Sequence, residues 1–461
     1  MTNTQPPSPG LMSAVASMKQ PLTFFTKNLV RYPEIFQSGL LGFSAFVIHH
    51  PPYIRHVLSD HARNYVKFEK YRYLRLIGGN GLVTNEGESW RHQRRLIQPA
   101  FSQAALDRAI AVMWQETDAV VCRLESRRET VLDVSETLGE LTIAIVARCL
   151  FSSDVAEHVA EIRRELDLAQ QLGNVLLRIP LPLYGAVPYL PVFRRITKAA
   201  TRLRSMVTGL IARRRACTER PADLLEALMA AAEDQSQGGM TEDQLVDEVL
   251  TLLLAGHETT LLALSWAFHL IAHHPVAFER LRHEAVTIDA SQAGGHGALN
   301  QLVWARAVAR EAMRLYPPAY LIGRTALDDD VLGEYEVPAG TNVLINIYGL
   351  HRHPAYWRDP DAFQPERMLD NFSSDPARFL FLPFGAGPRS CIGARFTMCE
   401  MQIILSAFAR AFTLTPLDAR PLYPSPQITL KTGRPVQLRI EHHAAGRGQE
   451  ASARPVRPIP A

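Results

Sequence analysis

The chain has almost no net charge: 49 Lys plus Arg stand against 46 Asp plus Glu, leaving +3. The bulk positive charge that dominates nucleic-acid affinity is therefore missing, and no nucleic-acid partner is expected. Cysteine is scarce, with five residues (Cys122, Cys149, Cys217, Cys391, Cys399) scattered and forming no C-x-x-C pair. That argues against a disulfide framework or a zinc ribbon and fits a reducing, cytoplasmic setting. Met1 to Gly10 lack a basic stretch followed by an apolar one, so no secretory signal is read there. The apolar run Leu40 to Ile48 is too short to span a bilayer, which takes about 18 or more such residues. A repeat with a period of about 20 to 50 residues is also missing, which removes solenoids and propellers.

What is present is ample core material: 461 residues, 47% hydrophobic and 21% charged, the balance of a globular protein. Residues 1–20 and 442–461 are rich in small, polar and proline residues and are expected to be disordered. Residues 21–441 then form one domain. Helical periodicity dominates from Ser89 to His283, and strand-like pieces lie at Ala45–Ile48, Val343–Ile347 and Val436–Ile440. A mainly α fold with a small β-sheet subdomain is expected, the three strands meeting in one sheet. Between helices, Gly173–Arg194 carries Pro180, Pro182, Pro188 and Pro191 and cannot be one continuous helix. It is expected as an apolar loop that lids a pocket or makes peripheral contact with a membrane.

Thr241–His274 reads as a long helix, opened by a capping box of Thr241 and Gln244 and closed before Pro275. Its middle is apolar all round, as in a buried core helix or a membrane span. The interruption Gly256-His257-Glu258-Thr259-Thr260 favours a working site in a core helix, because a buried carboxylate costs several kcal/mol unless paired or neutralised. The zincin pattern H-E-x-x-H fails, since its last position is Leu261.

Downstream, residues 384–393 read FGAGPRSCIG ahead of a helical pattern from Ala394 to Phe412. Gly385, Gly387 and Gly393 permit tight turns and close approach to a flat ligand. Cys391 falls at a helix start, where the dipole favours thiolate. A lone cysteine is most often a buried structural residue, but Phe384, Gly387, Arg389, Cys391 and Gly393 together fill F-x-x-G-x-R-x-C-x-G.

At these residues the sequence resembles the cytochrome P450 family, and the resemblance runs over about residues 21–441. Further motifs follow in the family's order: Trp90 and Arg94 in WRHQR, AGHETT at Ala255–Thr260, Glu311 and Arg314 in E-x-x-R, and Pro365-Glu366-Arg367-Met368 where the family usually has P-E-R-F. The resemblance implies a haem b held between the central helix and the cysteine loop. Cys391 would be the axial thiolate ligand of its iron, a ligand that favours O–O cleavage. Trp90, Arg94, Arg324 and Arg389 would hold the haem propionates, with Ala255, Phe384 and Gly393 also against the cofactor. Glu258 and Thr259 match the acid and alcohol that supply protons for dioxygen cleavage, with Gly256 leaving room for dioxygen. Glu311, Arg314 and Arg367 would form a buried structural triad.

The implied activity is monooxygenation of a hydrophobic small molecule. The resemblance suggests a fatty acid, terpenoid or carotenoid-like compound, hydroxylated or epoxidised with dioxygen. Electrons would come from NAD(P)H through a separate ferredoxin or flavodoxin and its reductase, docking near Arg91, His92, Arg94 and Arg95. The expected pocket lining comprises Tyr71–Val83, the 173–194 loop, Leu252–Ala255, Pro318–Ile322 and Ser425–Leu430, with Arg72, Arg75 or Lys431 as an anchor for a charged substrate. A haem-thiolate peroxygenase or isomerase is the alternative enzyme, and a haem ligand sensor the non-enzymatic one.

Overall fold

The computed structural model describes residues 5–10, 20–40, 43–128, 130–152, 159–177, 179, 189–218, 220–287, 296–369 and 377–443. Seven helices carry the site: α1 (Gly87–Ile97), α2 (Val134–Phe151), α3 (Val159–Leu177), α4 (Pro191–Ala216), α5 (Glu242–Ala272), α6 (Val303–Leu315) and α7 (Ala394–Ala411).

The central helix α5 starts where the sequence says it should. Thr241 Oγ1 accepts from Gln244 N at 3.2 Å, and Gln244 Oε1 accepts from Thr241 N at 2.8 Å, so both sides of the capping box are made. Pro275, which has no N–H to offer, opens the next helix instead of prolonging this one. By length and composition α5 is apolar enough to cross a membrane, yet 67% of its most apolar window is buried inside the protein. Its C-terminal half packs Phe268 edge-on against Phe408 of α7 at 5.2 Å and stacks Trp266 on Tyr316 at 3.7 Å. Its N-terminal half shares a second core with Leu203 and Val207 of α4. It is a core helix because other elements take up its faces.

Two of the three expected strands do pair. Phe43–Ile48 runs parallel to Asn342–Asn346 within a five-stranded sheet. The third lies elsewhere: Gln437–His442 joins Val131–Asp133 and Phe412–Pro416 in a separate sheet against the helical core. Alternation along a strand fixes which side is buried but not which partner supplies the edge; Leu438 and Ile440 bury with Leu132 and Leu414. At the N-terminus, within the stretch expected to lack order, Pro7 O accepts from Gln37 N at 2.8 Å.

The expected 173–194 loop begins later than the prolines suggested. The stripe Ile162, Leu166, Ala169, Leu172, Leu176 keeps helical spacing and stays buried, so Gly173–Leu177 belong to α3. Asn174 secures this end by donating to Gln427 Oε1 at 2.7 Å and accepting from Ile428 N at 2.8 Å. Pro191 starts α4. Residues 178 and 180–188 lie outside the described residues, so the lid or membrane role expected for them does too.

Candidate active site

Between α5 and the cysteine loop lies a cavity of about 360 Å³. The loop is folded tightly against its neighbours: Cys391 N donates to Phe384 O at 2.9 Å, and Ser390 N to Gly387 O at 3.1 Å. Gly387 has φ +69°, and a Cβ there would lie 1.8 Å from Leu58 O, so no side chain fits. Cys391, Phe384, Gly393, Ala255 and Arg389 all line the cavity.

Gly393 is the N-cap of α7, which puts Cys391 just ahead of the helix rather than in its first turn. Burial pushes the Cys391 thiol up, while the Gly393 N–H and the charge of Arg94 pull it down. A metal cation at the sulfur would reverse that balance.

One end of the cavity is basic. Arg94, Arg324 and Arg389 line it as expected, together with Trp90 and with Lys67, which no motif marked. Arg389 stacks on Trp90 with its guanidinium 4.0 Å from the ring centroid, pairs with Glu86 and donates to Asn85 O at 3.2 Å. Arg94 donates to Ser390 O at 3.1 Å. Arg324 is only 7% exposed. Lys67 stands directly opposite Arg324 in antiparallel register, a like-charge pairing that is unfavourable on its own. Burial, with Arg389 and Arg324 nearby, lowers Lys67 to about 7 against the raising effect of Glu86. No Asp or Glu lines the cavity among the described residues. Three arginines and a lysine so placed, with Glu86 paired to Arg389, suit a further anion, and the two propionates of the implied haem are of the right charge. The residues fit the group.

The opposite wall divides the expected acid–alcohol pair. Thr259 lines the cavity, its Oγ1 donating to Ala255 O at 2.6 Å. Glu258 does not line the cavity: its Oε1 lies 2.5 Å from Lys431 Nζ and its Oε2 accepts from Thr429 Oγ1 at 3.2 Å. Gly256, expected to make room for dioxygen, has a helix-packing role as well: a Cβ there would meet Val146 of α2 at 3.0 Å.

Tyr71, Leu82, Val83, Leu252, Pro318 and Ile322 are part of the largely apolar lining. The segment Ser425–Leu430, expected to contribute, does not line it among the described residues. Of the candidate anchors, Arg75 donates to Thr84 O at 3.0 Å and Lys431 pairs with Glu258, while the Arg72 side chain lies outside the described residues.

The triad is assembled behind the site. Arg314 Nε and Nη2 each donate to a different Glu311 oxygen at 2.8 Å, and Arg367 Nε lies 3.2 Å from Glu311 Oε1. Arg314 also donates to the carbonyls of His351, Pro360 and Ala362. Met368, in place of the family's usual Phe, is buried. The basic run on α1 is divided: Arg91 pairs with Glu88, His92 Nε2 lies 3.0 Å from Gly239 O, Arg94 turns to the loop, and Arg95 is the exposed member.

Comparison with known proteins accords with this geometry. Residues 4–439 match the family model for cytochrome P450. The chain is 35% identical to cyclooctatin synthase of Streptomyces melanosporofaciens over 427 residues, 91% of each chain. It is 33% identical to cyclooctat-9-en-7-ol 5-monooxygenase of the same organism, again over 91% of each. With pentalenene oxygenase of Streptomyces avermitilis it shares 30% identity over 93% of this chain and 94% of the relative.

Proposed function

The chain belongs to the cytochrome P450 family, and from that we propose that it oxygenates a terpenoid, taking electrons from NAD(P)H through a separate ferredoxin or flavodoxin and its reductase. It is a haem-thiolate monooxygenase. The observation that carries the proposal is a cavity with Cys391 on one wall, three arginines and a lysine at one end and Thr259 facing in from the central helix. Relatives named for cyclooctat-9-en-7-ol and pentalenene support the substrate class, as does an apolar lining that would hold a ligand mainly by burial. A cytoplasmic setting, as suggested by the bacterial relatives, is part of the same reading.

Cys391 would hold the haem iron, and Lys67, Arg94, Arg324, Arg389 and Trp90 would hold the propionates by charge-assisted hydrogen bonds. When bound, the haem supplies the chemistry that puts one atom of dioxygen into the substrate and releases the other as water. Thr259 Oγ1, tied at 2.6 Å to a main-chain carbonyl of its own helix, presents a fixed hydroxyl able to position a water and pass a proton. Glu258 would act from behind it, taking protons from the Lys431 side and turning toward the cavity to deliver them. The apolar wall made by Leu82, Val83, Leu252 and Ile322 would limit competing water.

The test is an optical titration of the haem-loaded ferric protein with mono-, sesqui- and diterpenes and with fatty acids as controls, followed by turnover with a surrogate ferredoxin and reductase. A terpene that shifts the spin state and is oxygenated only with dioxygen and reductase is the expected result. Preferential binding and turnover of fatty acids would overturn the substrate class; product from peroxide alone would overturn the electron-transfer reading in favour of a peroxygenase.

A further inference from the structure

Some distance along the chain from every residue of the cavity's acid–alcohol pair, His56, His61 and Asp330 bring two imidazoles and a carboxylate together. His56–Asp60 is a π-helical turn, closed by His61 N donating to His56 O at 2.8 Å. In an α-helix residues five apart point about 140° away from each other. The wider π turn instead sets the two rings face to face, with centroids 3.9 Å apart and planes at 20°. Such turns are uncommon and frequently mark functional positions.

Asp330 reaches this pair from the hairpin of Asp330–Leu332 and Tyr335–Val337. Its Oδ2 lies 2.8 Å from His56 Nε2 and 3.7 Å from His61 Nδ1. The carboxylate is held from both sides: Tyr65 Oη donates to Oδ2 at 2.9 Å, and Val331 N to Oδ1 at 2.8 Å. One ligand atom from each of the three residues falls within 4.8 Å of the others. Ligands at about 2.0–2.1 Å around a tetrahedral zinc ion lie about 3.3 Å from one another, between the two observed spacings; because an ion lies in the plane of each imidazole that binds it, the exposed His61 ring must turn out of its stack on His56 to aim its nitrogen at the ion.

The geometry points to a site for a divalent transition-metal ion, of which zinc is the type, held by His56 Nε2, His61 Nδ1 and Asp330 Oδ2 with a water in the fourth position. Two imidazoles and one carboxylate select against calcium and magnesium, which take oxygen ligands. Tyr65 Oη supplies the outer hydrogen bond that orients a ligating carboxylate. His61, with 52% of its side chain exposed, leaves the ion a route from solvent. The site also bears on the cofactor loop, because Leu58 of the same π turn offers the carbonyl against which Gly387 packs. An ion here would clamp the seat of the cysteine loop from outside.

The test uses the haem-loaded, tag-free full chain, stripped with a chelator and titrated with Zn²⁺ by calorimetry and equilibrium dialysis. One saturable equivalent is expected. His61→Ala, at an exposed position whose folding is checked by its haem spectrum, should weaken binding at least tenfold; Asp330→Asn should do the same, and Tyr65→Phe should weaken it about tenfold as an outer-sphere change. Absence of a saturable equivalent, or His61→Ala binding as tightly as the parent, would overturn the site and leave the three residues as a hydrogen-bonded cluster.

Discussion

Glu258 and Lys431 meet at 2.5 Å, and this pairing holds the carboxylate next to Thr259 outside the lining of the cavity that Thr259 faces. Lys431 comes from the short strand Leu430–Thr432, and its neighbour Thr429 holds the second carboxylate oxygen. In the proposed function this arrangement would separate a proton reserve from its point of use. Glu258→Gln, which keeps the shape and loses the acid, is expected to lower product formation per haem by about 10²-fold, the ordinary worth of a positioned acid. Lys431→Met should be milder, because Glu258 remains. Equal losses in the two variants, or none in Glu258→Gln, would assign the pair to structure alone.

Lys67 is the residue at the basic end of the cavity that the motifs missed. With its partner anion bound it gains a charge-assisted hydrogen bond worth about 1.5–3 kcal/mol. Lys67→Met should therefore release haem to an acceptor such as apomyoglobin about 10- to 100-fold faster, while leaving the cysteine-ligand spectrum of the remaining haem unchanged.

Glu311 and Arg314 are both 0% exposed, and Arg314 additionally donates to three main-chain carbonyls. Glu311→Ala strands that guanidinium, and about 3–5 kcal/mol of stability should go with it. Urea unfolding reads the loss, and haem content per chain should fall in parallel. Full haem content at parental stability would remove the triad's structural role.

Buried histidines make the fold acid-sensitive. Burial lowers His257 and His351 to about 3 and His49 and His269 to about 4, against 6.5 for the unfolded chain. These groups are neutral when folded, so their contribution is whole above about pH 6.5 and is lost as the pH falls toward 3. Each adds about 1.4 kcal/mol per pH unit to the slope inside that window. The histidine contribution to the urea midpoint should be level from pH 7.5 to about 6.5 and fall from there to pH 5, less steeply in His269→Gln.

Glu248 works in the opposite direction. Burial raises it to about 8 from 4.5, while Leu82 N donates to its Oε2 at 3.1 Å. Protonated in the fold and ionised when unfolded, it takes stability away as the pH rises from 4.5 to 8. Glu248→Gln keeps the carbonyl acceptor and should add on the order of 3 kcal/mol at pH 7, with little effect at pH 4.5. A gain that does not depend on pH would show that the carboxyl is ionised in the native state.

The parts of this protein that could be read from its sequence are those built from local chemistry. The capping box of Thr241 and Gln244 fixes the start of a helix by bonds between residues three apart. The cysteine loop needs glycine at position 387, where φ is +69°, and Glu311 with Arg314 lie one turn apart on the same helix. Parts that depend on distant partners were hidden. Lys67 acquires its place through pairing with Arg324, and Glu258 is drawn outward by a lysine 173 residues further along the chain. The strand at 437–442 shows which of its residues bury but nothing of the sheet it joins. The bonds from Asn174 to residues 427–428 that secure the end of helix α3 are likewise absent from local spacing, although the apolar stripe that carries the helix past Gly173 is not.

The parallel pairing of Phe43–Ile48 with Asn342–Asn346 also sets a timetable for synthesis. The first of these strands leaves the ribosome early and has its Asn342–Asn346 edge unfilled until nearly three hundred further residues have been made. Contacts of such long separation close slowly, and an exposed strand edge meanwhile invites association with other chains. Yield in a heterologous host should consequently respond to translation rate and to chaperones that cover strand edges, independently of how stable the finished protein is.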